Sequence, residues 1–313
     1  MEEKLKITHQ VLGSSYKSRD EYLFTCPFCN HHKKKLSINF GKGFWKCWVC
    51  DVRGKNIYRL VRKFGTYQQR QKWLELEGRL DLNEFDNIFA EMNNITEEST
   101  IDLPEEFISL CNKRLPRSSQ KPFRYLFERG LTRQDILKWK IGFCDVGRFG
   151  GRIIIPSFNN DGNINYFVAR SYVGHQRKYL NPRAEKDIIF NELSMDWDSP
   201  VILVEGVFDA IVAGENAIPI LGSTLRETSR LFQAIALNDT PVYLALDEDA
   251  QKKSGQIIKN MLKYDIELYQ IDTHGCEDVG SMSRDIFKER MDNAVVVDFD
   301  EYFLYNELRR VNV

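Results

Sequence analysis

From residue 199 onward, short apolar runs alternate with amphipathic stretches. The runs at 201–204, 217–221, 242–246 and 266–271 are too short for core helices and carry almost no polar residues. Continuous apolar runs of that length are what strands buried on both faces look like. Between them lie helical patterns at 209–214, 225–237 and 254–264. The alternation predicts a parallel sheet with helices on its faces. The region before it reads differently. Strands at 153–156 and 164–170 flank Asn159-Asn160-Asp161-Gly162, a hairpin turn, and a helical pattern over 125–140 is broken at Gly130. Near the N-terminus, strands fit 22–25, 36–39 and 44–47, with turns at 30–32 and 41–43, and Ile57, Leu60, Val61 and Phe64 then recur at helical spacing. In the acidic stretch 81–106, Leu82, Phe85, Ile88 and Phe89 form an apolar stripe, while 93–100 is polar and reads as a tether.

At 313 residues the chain suits two or three domains, and its 42% hydrophobic and 12% aromatic content excludes a disordered polypeptide. No apolar run reaches the length of a membrane span and MEEKLKITHQ has no signal-peptide core, so the expectation is a cytoplasmic protein with no membrane partner. The net charge of −1 conceals strong segregation. Residues 26–79 carry 13 Lys/Arg against 3 Asp/Glu, and 107–190 carry 16 against 6. Residues 80–106 carry 9 acids and no base, and 191–313 carry 23 acids against 11 bases. Basic blocks follow a phosphate backbone, and an acidic block holds divalent cations. Such runs are also ordinary solvated faces, so the motifs inside them decide.

Four of the seven cysteines form two C-x-x-C pairs, Cys26/Cys29 and Cys47/Cys50, with 17 residues between them. That spacing suits one structural Zn²⁺ held by four thiolates, and a redox C-x-x-C rarely comes as a spaced double set. His31 and His32 compete as ligands, but Cys29 closes the knuckle with the usual bite. Cys111, Cys144 and Cys276 are scattered singles, expected to be reduced. Phe44, Trp45 and Trp48 lie among Lys33, Lys34, Lys35, Lys42, Lys46 and Arg53. Aromatic faces interleaved with cations suit unpaired bases. A ribbon has almost no core, however, so one or two of these rings pack over the metal, and one of Trp45 and Trp48 is left for nucleic acid.

Glu205 directly follows the run 201–204, and Asp247-Glu248-Asp249 follows 242–246. In extended backbone Asp247 and Asp249 point to one side. Oxygen ligands converging without His or Cys select Mg²⁺ or Mn²⁺. Glu277-Asp278 follows the strand ending at 271.

VEGVFDA, LALDEDA and CEDVG resemble the three motifs of the Toprim domain, the Rossmann-like metal site of bacterial-type primases, topoisomerases and some nucleases. The resemblance implies that Glu205, Asp247, Asp249 and Asp278 hold two or more catalytic Mg²⁺ or Mn²⁺ ions. Asp209 matches a further acidic position of the first motif. The family often has a second acid two residues after Asp278, where this chain has Gly280. FERGLTRQDILKWKIGF and GGRIIIPSFNNDGNINYFVARSYVGHQRKYLNP resemble the segments that precede Toprim in bacterial replicative primases. By that match Arg152 and Arg170 line a basic ridge for template, with Arg148 nearby, and Lys178 meets NTP or primer phosphates. Glu192 stands where a second lysine often lies.

The implied architecture is an α/β multidomain chain: an N-terminal β zinc ribbon, a mixed α+β primase subdomain and a Rossmann-like parallel-sheet Toprim domain. The expected boundaries are a template-binding ribbon at 1–75, an acidic linker at 76–104, the N-terminal part of an RNA polymerase domain at 105–198, Toprim at 199–290 and a tail at 291–313. The implied activity is template-directed synthesis of short RNA primers on single-stranded DNA from NTPs. The implied partner is a separate replicative helicase, as in the short primases of large tailed bacteriophages. A Toprim nuclease and a non-catalytic single-stranded DNA-binding replication protein are the alternatives.

Overall fold

A computed structural model describes residues 1–54, 56–77, 99–222, 225–247, 251–264, 266–297 and 302. The chain forms two units, Met1–Asn94 and Ile95–Val313.

The first unit begins with α1 (Glu2–Leu12). An antiparallel sheet follows, built from β1 (Tyr16–Ser18), β2 (Glu21–Phe24), β3 (Leu36–Asn39), β4 (Phe44–Cys47) and β5 (Arg53–Gly54), paired in chain order. Helices α2 (Tyr58–Phe64) and α3 (Tyr67–Glu77) complete it. A five-strand sheet of such short strands has too little apolar surface to stand alone. The helices supply the second layer: Ile7 from α1, Leu60 and Val61 from α2, and Trp73 and Leu74 from α3 pack with Phe24, Leu36, Ile38 and Trp45. The expected strands and α2 are present. Neither α1 nor α3 stood out in the sequence, because their apolar positions are few and their faces largely charged. Their closure is partly polar, with Lys4 donating to Glu77 at 2.6 Å.

The second unit opens with Ile101 and Leu103, which pack against its sheet; the Ile101 N–H donates to the Ile164 carbonyl at 2.8 Å. Strand β6 (Phe107–Ser109), helices α4 (Gln120–Glu128) and α5 (Arg133–Lys138), and strands β7 (Gly142–Cys144), β8 (Arg152–Phe158) and β9 (Ile164–Ser171) follow. The strands form an antiparallel sheet ordered β6-β7-β8-β9. Ile153, Ile154 and Ile155 are all buried because this sheet is covered on both faces: Ile153 and Ile155 enter the main core, Ile154 the layer beneath Ile101 and Leu103. Gly130, at φ 76°, ends the helical pattern between α4 and α5, a conformation glycine adopts at no steric cost.

The remaining elements alternate: β10 (Val201–Val204), α6 (Val207–Ala213), β11 (Ala217–Pro219), α7 (Arg230–Asn238), β12 (Val242–Ala245), α8 (Gln251–Lys263), β13 (Leu268–Gln270), α9 (Arg284–Asp292) and β14 (Val295–Val296). The sheet order is β11-β10-β12-β13-β14, parallel except for the antiparallel edge strand β14. The expected parallel sheet is therefore present, with one reversed strand at its edge. One core joins both sheets: Phe143, Ile153, Ile155, Tyr166 and Val168 pack in the cluster that contains Ile202, Val204, Phe208 and Ile211. The apolar stripe at Leu82, Phe85, Ile88 and Phe89, residues 93–98 of the expected tether 93–100, and the tail beyond 302 lie outside the described residues.

Candidate nucleic-acid polymerase site

The four cysteines converge. Their sulfurs all lie within 4.8 Å of one another, with Cys26 Sγ 3.8 Å from Cys50 Sγ and Cys29 Sγ 3.9 Å from Cys47 Sγ. A tetrahedral ion with bonds of about 2.3 Å to sulfur needs its ligands about 3.8 Å apart. The donor set and its spacing therefore fit Zn²⁺, and neither His31 nor His32 joins the group. Two short features build it. The Val49 N–H donates to Cys47 Sγ at 3.4 Å, and the Cys47 N–H donates to the Val52 carbonyl at 2.8 Å, closing the second knuckle. Burial raises the Cys47 thiol, but the N–H groups of Cys50 and Val49 outweigh it and bring it down to about 7, whereas burial pushes the Cys26 thiol up to about 12.

The two tryptophans separate. Trp45 is 3% exposed, stacks on Phe28 at 5.9 Å and donates its indole N–H to the Asn56 carbonyl at 2.8 Å. Its expected role against template is corrected: the ring is part of the core. Gly54 opposite has no side chain because a Cβ there would stand 2.7 Å from the Trp45 ring. Trp48 is 63% exposed, and Lys46 Nζ lies 5.0 Å from its ring centre. Phe44 is also at the surface.

In the second unit the acidic residues stand at strand ends. Strands β11 and β12 continue from β10 toward opposite sides, which makes the carboxyl ends of β10 and β12 the switch point where open α/β sheets bind ligands. Val204 and Ala245 are in register as the last paired residues, and Glu205 and Asp247 follow them. Asp249 and Glu248 lie outside the described residues. Asp278 opens the short 3-10 turn Val279–Ser281. Among the described residues only the cysteines bring three ligand atoms within 4.8 Å of one another; Glu205, Asp247 and Asp278 do not form such a trio.

Asp209 behaves differently from the other acids. It sits in the first turn of α6, is 8% exposed, and both its oxygens are engaged. Oδ2 accepts the Gly206 N–H and Oδ1 the Gly280 N–H, each at 2.8 Å. Burial pushes its carboxyl up to about 6 against the pull of the Gly280 and Gly206 N–H groups, and the negative Asp278 and Glu205 add to the rise. Glu205, Asp247 and Asp278 are the other described carboxylates of the acidic motifs, each following a strand of this sheet.

The basic residues also divide. Arg152 is 6% exposed, and its guanidinium donates to the carbonyls of Gly150 and Arg177 at 3.2 and 3.3 Å. Its expected place on an open ridge is corrected: it ties two loops together from inside. Arg170 is half-buried, donates from Nε to the Tyr125 hydroxyl at 3.1 Å and lies 4.6 Å from the Tyr179 ring centre. The segment bearing Lys178 pairs with the end of β9, where the Ser171 N–H donates to the Lys178 carbonyl at 2.9 Å. Lys178 and Arg148 are exposed, Arg148 at 5.2 Å over the Phe149 ring.

Sequence reasoning missed Tyr125, Arg129 and Tyr179. The Arg129 guanidinium lies 4.8 Å from the Phe208 ring and 5.6 Å from that of Tyr125, so Arg129, Tyr125, Arg170 and Tyr179 form a row that reaches Phe208 of α6. Burial raises the Tyr179 hydroxyl and the charge of Asp209 adds to it, against Arg170 and Arg129. The signal available was the R-Y-L-F-E-R-G run at 124–130, which places Tyr125 and Arg129 one helical turn apart.

No protein-family profile matches the chain. It is 24% identical over 286 residues to the DNA primase of Thermotoga maritima, covering 76% of this chain and 48% of that protein. It is 25% identical over 312 residues to the DNA primase of Helicobacter pylori strain J99, covering 81% and 53%. In sequence the chain is similar to bacterial DNA primases. The fold agrees. The zinc-binding and RNA polymerase domains of the Aquifex aeolicus primase superpose with a TM-score of 0.50 at 18% identity, over 94% of this chain and 83% of that one. A DnaG primase catalytic domain bound to single-stranded DNA gives 0.51 at 22% identity, over 62% and 76%. The primase-like chain spans about half the length of the curated relatives it matches. Among the described residues no helix is long and apolar enough to cross a membrane.

Proposed function

We propose that this chain is a DNA primase, a nucleotidyltransferase that makes short RNA primers on single-stranded DNA. The observation that carries the reading is the joining, in a primase-like fold, of a four-cysteine centre to carboxylates at a parallel-sheet switch point. Cys26, Cys29, Cys47 and Cys50 would hold one structural Zn²⁺. Glu205, Asp247, Asp249 and Asp278 would hold Mg²⁺ or Mn²⁺, which when bound lowers the pKa of the attacking 3′-hydroxyl and stabilises charge on the α-phosphate and the leaving pyrophosphate. The protein's own contribution is placement. Arg170 and Arg129, held against Tyr125, Tyr179 and Phe208, present cations and aromatic faces to the template strand. Exposed Lys178 and Arg148 meet phosphates, and Trp48 stacks on unpaired template bases. No side-chain nucleophile is called for, since positioning and electrostatics suffice. The working partners are single-stranded DNA, NTPs and the growing RNA, with a separate replicative helicase, in the cytoplasm of a bacterium or of a phage-infected one.

The test is primer synthesis with the purified chain on single-stranded templates of varied sequence, four NTPs and Mg²⁺, resolved on a sequencing gel. Short RNAs starting at a fixed template motif, abolished by Asp247→Asn while single-stranded DNA binding persists, are the expected result. Metal-dependent cleavage of the template without RNA would replace this reading with a nuclease. Binding with neither activity, even with the helicase added, would leave a non-catalytic replication protein.

A further inference from the structure

Asp209 and Gly280 meet in a way that neither the acidic character of the site nor the turn geometry requires. The two carboxylate oxygens of Asp209 accept N–H groups from two separate loops, Gly206 directly after Glu205 and Gly280 two residues after Asp278. The residue is 8% exposed, so this pairing satisfies a group that burial would otherwise penalise. Gly280 does not have the positive φ that favours glycine, so its backbone accepts any side chain. Space is close instead: a Cβ at 280 would stand 2.8 Å from Asp209 Oδ1, which would have to shift, and 3.5 Å from both the Asp209 nitrogen and Asp278 Oδ1. A Cβ at 206 would likewise stand 3.0 Å from Asp209 Oδ2. Val279, next to Gly280, is fully buried in the core that also takes Val207 and Phe208 of α6.

We infer that Asp209 is a positioning residue, a latch that fixes the Asp278 loop against the Glu205 turn through the Gly280 and Gly206 N–H groups. The inference rests on the reading of Glu205 and Asp278 as cation ligands. It assigns Asp209 no place among them, because the residue is 8% exposed and each of its oxygens already accepts a backbone donor. The distance between the Glu205 and Asp278 carboxylates then depends on a residue that need not touch substrate or ion, and a misplacement of about 1 Å in such a frame costs on the order of 10²-fold in rate.

The experiment is a double-mutant cycle on the full chain with Asp209→Ala, Gly280→Ala and the pair, alongside Asp209→Asn and Asp247→Asn. Three quantities are read: Mn²⁺ ions bound per chain, hydrogen exchange of the amides at 276–283 without metal, and primer-synthesis turnover with its KM for NTP. Expected are an unchanged ion count in Asp209→Asn against loss of an ion in Asp247→Asn, and faster 276–283 exchange in both single alanine variants. Turnover should fall about 10–100-fold with little change in KM. The pair should lose no more than either single variant, the non-additivity of two residues serving one contact. Loss of an ion in Asp209→Asn would make Asp209 a ligand and overturn the inference. So would turnover losses that multiply in the pair, or unchanged exchange in both singles. If the wild-type chain makes no primers, the proposed activity fails, while the ion count and the exchange still decide the latch.

Discussion

Trp45 and Trp48 lie three residues apart in the same cation-rich segment, yet one is core and the other surface. Strand alternation separates them: Trp45 lies within β4 and points to the helical layer, whereas Trp48 follows Cys47 into the knuckle. Trp45→Ala should therefore cost about 3–5 kcal/mol of stability in the first unit, read by denaturant melting, as large-to-small core changes do. Trp48→Ala should leave melting unchanged and weaken single-stranded DNA binding by about 1–3 kcal/mol, the worth of one stacked base, read by fluorescence anisotropy. A Trp48→Ala variant that binds DNA as tightly as wild type would remove the ring from the interface. The sequence narrowed the choice to one of two rings but not to which, because the register of a four-residue strand is set by tertiary burial.

At the scale of elements, the helix turn joining α4 to α5 carries a pH-dependent tie. Thr132 and Asp135 form a capping box at the start of α5, and Asp135 Oδ2 also accepts from Arg284 of α9 at 2.8 Å. Burial would raise the Asp135 carboxyl, but the bonds from Thr132 and then Arg284 outweigh it and hold it below its ordinary 3.8. A carboxylate depressed in the folded state contributes stability that is present above the unfolded pKa and is lost as pH falls through the folded one. Asp135→Asn should cost about 1–2 kcal/mol at neutral pH, and the gap to wild type should stay constant down to about pH 4 and narrow below it in urea melts. A gap that persists at low pH would assign the loss to shape rather than charge. Strands and helices of the Rossmann-like half were legible because strand, helix and turn signals coincide in each segment. Helix α9 and strands β6 and β7 were not. Their runs are three residues long or largely charged, and only pairing with a distant partner such as β8 makes the strands elements.

For the whole molecule, each unit has its own core, and the cysteine centre belongs to the first, where Cys26 and Cys47 are part of it. In so small a ribbon the metal contributes folding energy directly. A strong zinc chelator should accordingly raise amide exchange across β2 to β5 while exchange in β8 to β12 stays as it was, followed by mass spectrometry on the intact chain. Equal loss of protection in both units would mean that they fold as one. The strand-end carboxylates and the cysteines were readable in the sequence because both are local motifs. The Arg129–Tyr125–Arg170–Tyr179 row was not, since it is assembled from α4, β9 and the segment after it.

The two bonds of Asp209 also make the first and third turns of the site move together. One buried carboxylate accepts the Gly206 N–H just after Glu205 and the Gly280 N–H just after Asp278, so a displacement of either turn is felt at the other. The approach is close: a Cβ at 280 would stand 2.8 Å from Asp209 Oδ1, and a side chain there comes with a shift of that carboxylate. A change at either position is therefore read at both turns, and its effects do not simply add.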